Sequence, residues 1–109
     1  MPTMQLFTDH FSSADQAAAE IAANGLTASD FGAKRGEWLG KTPHTHDIGA
    51  DIYILEGTFN IRDDGAGVTY AAGPGSKLVV PAETLHTEHD SEFRALVGTH
   101  AKAAVTSEA

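Results

Sequence analysis

Between Asp51 and Asp63 apolar and polar side chains alternate, with Tyr53, Leu55, Phe59 and Ile61 on odd positions and Glu56, Thr58, Asn60 and Arg62 on even ones. A period of two predicts one long strand or a bent pair, its odd face turned inward. Asp63-Asp64-Gly65-Ala66-Gly67 has the residues of a hairpin turn, and Val68 to Ala72 returns from it. Gly73-Pro74-Gly75 marks a second turn. Lys77 to Val80 follows as a strand stopped by Pro81, and Phe93 to Thr99 as the last, with Phe93, Ala95 and Val97 on one face. Upstream, Phe31 to Leu39 reads as a strand and Met4 to Thr8 as a short one. The only helical signal is Ser13-Ala14-Asp15-Gln16, a capping box that opens an alanine-rich, weakly amphipathic stretch running to Ala23 and stopping at Asn24-Gly25. Its expected role is structural, covering an end or edge of a sheet. Short strands separated by glycine and proline turns predict an all-β barrel or jelly roll with a short N-terminal helix.

Composition narrows this picture. The chain has 109 residues, enough for one core and one domain: strand and helix over 1–30, barrel over 31–100, and a small, polar, frayed tail over 101–109. No repeat or linker is visible. With no cysteine, disulfides, thiolate catalysis and thiolate metal sites are excluded, and the cytoplasm is the expected compartment. Neither a signal peptide nor a membrane span is legible, and a formal net charge of −8 speaks against nucleic acid and anionic membranes as partners.

The candidate chemistry lies in Pro43-His44-Thr45-His46-Asp47 and Pro81-Ala82-Glu83-Thr84-Leu85-His86. Histidines at i and i+2 of a strand project from the same face, so His44 and His46 offer two nitrogens to one point. His86 can add a third nitrogen and Asp51 an oxygen. A mixed N/O set of this kind suits one divalent transition metal, Fe, Mn, Ni or Zn, rather than calcium or magnesium.

These two stretches resemble the paired motifs of small single-domain cupins. His44, His46 and Gly57 fit the first motif and Gly75, Pro81 and His86 the second, so the resemblance spans roughly residues 38 to 98. It departs at four places: no glycine precedes His44 at the motif's distance, Glu83 replaces a glycine, Asp90 replaces an asparagine, and no glutamate stands at the usual fourth-ligand position. The resemblance implies a double-stranded β-helix, a metal held by the histidines, and a homodimer; an open barrel also has exposed strand edges, and pairing Met4 to Thr8 with a second subunit would cover one of them.

The fourth ligand depends on strand parity. Asp51 shares the odd, inward face, which favours it over Ala50; a bulge or bend at Gly57 would flip the register, bring Ala50 inward and leave three histidines. Tyr53, two residues from Asp51 on that face, is a candidate proton donor, and Glu88, two residues after His86, a candidate acid or base. Trp38 shares parity with His44 and is a candidate cavity wall. His10, His89 and His100 read as surface histidines.

Three functions are compatible with these residues: a metal-dependent enzyme acting on a small molecule, a non-enzymatic cupin that binds a metabolite or sugar, and a structural barrel with a vestigial site. The resemblance implies isomerases, lyases, sugar-acid-processing enzymes and dioxygenases. Isomerase- or lyase-like chemistry on a carbonyl or sugar acid is the expectation, because an inward carboxylate and tyrosine would move protons; an iron-dependent dioxygenase is the alternative.

Overall fold

The alternating stretch folds as one 14-residue strand, and the sheet is laid out around it. The computed structural model describes residues 3–34, 36 and 42–100. In chain order the elements are β1 (Gln5–Phe7), α1 (Ala14–Ala23), β2 (Thr27–Ala33), β3 (Ala50–Asp63), β4 (Val68–Ala72), β5 (Lys77–Val80), β6 (His86–Glu88) and β7 (Glu92–Thr99). The seven strands form a single antiparallel sheet ordered β1-β5-β3-β7-β2, with β4 and β6 added on β3. The start of β3 runs between β5 and β7, and its last residues run between β4 and β6. Among the described residues the fold is all-β and barrel-like with one short helix, and the sheet is not closed. Among the described residues no helix is long and apolar enough to cross a membrane.

The hairpin, β4 and β5 lie where the turn and stop residues predict them. Two elements differ. The strand expected over Phe31 to Leu39 begins earlier, at Thr27, pairs with β7 from Thr27↔Thr99 to Ala33↔Phe93, and ends at Ala33. Lys34 and Gly36 follow outside any strand, and the rest of that stretch, Trp38 included, lies outside the described residues, as does the tail expected to fray. β6 was hidden because His86-Thr87-Glu88 is too short and too polar to show a period.

The parity of β3 is not constant. Ile54 pairs with Ala95 and Glu56 with Arg94, so Leu55 is an extra residue, a β-bulge, and the strand continues through Gly57 at φ +74°. Ile52 and Ile54, on even positions, and Phe59 and Ile61, on odd ones, therefore share one core with Leu78, Val80, Phe93 and Ala95. In that core Phe59 stacks on Phe93 at 4.5 Å, and Phe31 meets both edge-on at 5.7 and 5.2 Å. Gly57 is the residue type the bulge needs: a Cβ there would stand 2.0 Å from the Glu92 carbonyl oxygen.

Helix α1 covers the opposite face of the sheet. Ser13 caps it, its hydroxyl accepting from the Gln16 amide at 3.2 Å, while the Gln16 side chain accepts from the amide and hydroxyl of Ser12 at 2.7 and 2.8 Å. Its apolar side buries Ala17 and Ile21 against Tyr53. Beside that small core Glu20 accepts from the Tyr53 hydroxyl at 2.6 Å and from Lys77 Nζ at 2.7 Å, with His10 Nε2 2.9 Å away. Hydrogen bonding to Lys77 and then to Tyr53 holds the Glu20 carboxyl near about 2 rather than its ordinary 4.5. Because the unfolded chain binds this proton more readily, the ionised carboxylate adds its full stabilisation above pH 4.5 and loses it as pH falls towards 2. The side chain is a third exposed, which screens the effect to about 1 kcal/mol. Urea midpoints of Glu20→Gln and parent protein are expected to differ by that much at pH 6 and to converge near pH 2.

Candidate metal centre

His44 and His86 come together because the backbone joins them. The His44 amide donates to the His86 carbonyl at 2.9 Å and the His86 amide to the His44 carbonyl at 3.0 Å, an isolated antiparallel bridge between segments far apart in the chain. Side chains directly opposite in such a bridge lie on the same face, and the two rings sit 4.3 Å apart. His46, two residues along, joins them at 4.9 and 5.2 Å. The Glu83 amide donates to the His46 carbonyl at 2.7 Å and ties the two loops together, with Glu83 in the left-handed region at φ 62°. Glu88 follows His86 by two in β6, so the same alternation brings its carboxylate to the rings. One donor atom from each of His44, His46, His86 and Glu88 lies within 4.8 Å of the others, a group that can hold a metal ion.

Hydrogen bonds fix which ring atoms face the centre. Nδ1 of His44 lies 2.7 Å from the Thr42 carbonyl oxygen, and Nδ1 of His86 2.8 Å from that of Thr84. A carbonyl only accepts, so each Nδ1 carries the proton and each Nε2 is left as the ligating nitrogen. Both Nε2 atoms point at one carboxylate oxygen, Glu88 Oε2, at 3.3 and 3.4 Å. Lone pairs aimed at a carboxylate need a positive charge between them, either protons or a cation. Burial alone would lower the His86 pKa, but the hydrogen bond and charge of Glu88 outweigh it and raise the imidazole above its ordinary value. Burial likewise opposes ionisation of Glu88, and its hydrogen bond to His86 outweighs that, leaving the carboxyl below its ordinary range. His86 and Glu88 are buried, His44 is half-buried and His46 is exposed, so the cluster is closed on one side and open on the other.

Asp51 is not part of this group. The bulge reverses the parity of β3, so Ala50 and Ile52 face the cavity beside the cluster and Asp51 faces the helix side. There its carboxylate lies 3.1 Å from His100 Nε2 and 3.8 Å from Lys77 Nζ. Tyr53 goes with it: its hydroxyl donates to Glu20 and its ring packs under α1, so it is no proton donor to a ligand at the cluster. Burial first, then the hydrogen bond to Glu20, pushes its pKa far above the ordinary tyrosine range. Glu88 reaches the site and supplies the carboxylate expected of Asp51. The signal that could have found it was the His86-Thr87-Glu88 spacing, which repeats the i, i+2 logic of His44 and His46. Of the histidines read as surface residues, His10 and His100 have carboxylate partners in Glu20 and Asp51, and His89 is half-buried. Asp51→Asn is accordingly expected to leave metal affinity at the parental value; a tenfold loss in a metal titration would return Asp51 to the ligand set.

No family model matches the chain, and no curated protein does. The reading of the site therefore rests on its own donor set.

Proposed function

We propose that this chain is a metal-dependent enzyme of the cupin type acting on a small molecule, with one divalent transition metal held by His44, His46, His86 and Glu88. The observation that carries the reading is the convergence of two Nε2 atoms, each oriented by an Nδ1–carbonyl hydrogen bond, on one buried carboxylate oxygen at the wall of a cavity. Three imidazoles and one carboxylate fit Fe, Mn, Ni or Zn, and such an ion supplies Lewis acidity or, if redox-active, activation of dioxygen. The chain's own part is to fix the rings, exclude water from the buried side and present an apolar wall to the substrate.

The positions of Asp51 and Tyr53 weigh on the type of reaction. Isomerase- or lyase-like chemistry drew on those two groups to move protons, and both lie on the helix side of β3. Metal-centred oxidation with dioxygen is the reading that needs neither of them. Elemental analysis of protein purified without added metal tests the centre, and oxygen uptake by the iron-loaded protein with small catechols, diketones or thiols tests the reaction. Stoichiometric metal without turnover of any of them would favour a non-enzymatic binding protein, and absence of stoichiometric metal would reject the proposal. A homodimer is supported by the positions of β1 and β2, which pair on one side only and end the sheet, and by Phe7, 43% exposed on β1. Light scattering at micromolar concentration would reject it by giving a monomer mass.

A further inference from the structure

The cavity beside the cluster holds about 210 Å³. Its wall is polar at the cluster residues His46, His86 and Glu88 and again at Ser29 and Asp30 of β2, and between them it is built mainly from Phe31, Ala50, Ile52, Phe59, Val80 and Val97. Those six come from four strands, and the bulge in β3 is what places Ala50 and Ile52 on the same side as Phe59.

The geometry points to a substrate with an apolar body of about eight non-hydrogen atoms and a pair of adjacent oxygen donors at one end, an inference that rests on the metal-binding reading of the cluster. Size follows from volume, since a cavity of roughly 150 Å³ accommodates benzene and 210 Å³ takes proportionately more. Polarity follows from the wall. Ser29 and Asp30 offer partners to one or two hydroxyls, but a sugar acid would press the rest against isoleucine, valine and phenylalanine carbons, and each hydroxyl left without a partner weakens binding by roughly tenfold or more. The paired donors follow from the ligand count, because four protein donors leave two positions on a six-coordinate ion. Ala50 is the specificity-determining residue. Its methyl group leaves open the part of the cavity that a longer side chain at this position would fill.

Benzohydroxamate and acetohydroxamate test this directly, as they carry one and the same oxygen-donor head on a phenyl ring and on a methyl group. Titrated calorimetrically into nickel-loaded protein, whose ion accepts six donors, benzohydroxamate is expected to bind at least about tenfold tighter, reflecting burial of the ring. Gluconate, a polyol acid, is expected to bind more weakly than benzohydroxamate. Ala50→Leu is expected to lower benzohydroxamate affinity about tenfold while one nickel per chain and acetohydroxamate affinity are retained. Equal affinities for the two hydroxamates, or tighter binding of gluconate, overturn the inference and leave the metal centre standing. Failure of the parent chain to retain nickel at one per chain removes the metal centre and the inference together. If Ala50→Leu does not fold, the parental comparison of the two hydroxamates decides.

Discussion

His86→Ala protein is expected to lose metal affinity by about a hundredfold or more relative to the parent, and to leave purification nearly metal-free. His86 is the most enclosed of the three rings, its Nδ1 is tied to Thr84, and its Nε2 faces Glu88. Truncation removes one of few ligands and admits water to the buried side. The amide and carbonyl of residue 86 still bridge to residue 44, so far-UV circular dichroism is expected to keep its β signature. Parental metal content in this variant would show that the two segments do not share an ion. Acid should act in the same direction on the unaltered protein. The rings ligate only when neutral, and in the metal-free chain Glu88 favours the protonated form of His86, so protons compete for this ligand and bound metal is expected to fall as the solution is acidified through the histidine range.

Gly57→Ala is expected to cost about 3 kcal/mol of stability, near the upper end for a single backbone substitution. The residue sits at φ +74°, and an added Cβ would meet the Glu92 carbonyl oxygen at 2.0 Å and the Phe93 Cα at 2.8 Å, both backbone atoms that move only with β7. The alternative open to the strand is to lose its bulge, which would exchange Ala50 for Asp51 and Ile52 for Tyr53 on the cavity side. A urea or thermal midpoint measures the first outcome, and loss of metal binding beyond the loss of folded protein the second. A midpoint within about half a kcal/mol of the parent would mean that the bulge does not need glycine.

Much of the fold was legible because local chemistry and tertiary structure agree at the turns. Asp63 to Gly67, Gly73-Pro74-Gly75 and the Ser13 cap all act where residue type alone places them. Of the three clustered histidines, His44 and His46 were legible for a similar reason, since i, i+2 spacing on an extended backbone leaves few other geometries, whereas His86 was legible only through the second motif of the resemblance. Parity was not legible. Leu55 and Gly57 mark a bulge only through their pairing with β7, and an alternation read straight through them assigns Asp51 and Tyr53 to the wrong face. Apolar residues occupy both 52 to 55 and the odd positions beyond, so hydrophobicity by itself could not expose the switch. Glu88 was ambiguous from sequence because a carboxylate is solvated by default, and its burial depends on β6 pairing with Ile61 to Asp63.

The bridge between His44 and His86 also bears on how the chain would respond to losing an ion. The segment it closes includes β3, β4 and β5, and holding the ends of a loop of that length together costs about 3 kcal/mol in chain entropy. An ion shared by the two ends would act as a removable clasp on that loop, and its binding energy would be drawn on by the folding equilibrium itself. A chelator would then shift the melting temperature downwards, and restoring metal would shift it back by an amount that grows with the logarithm of free metal concentration.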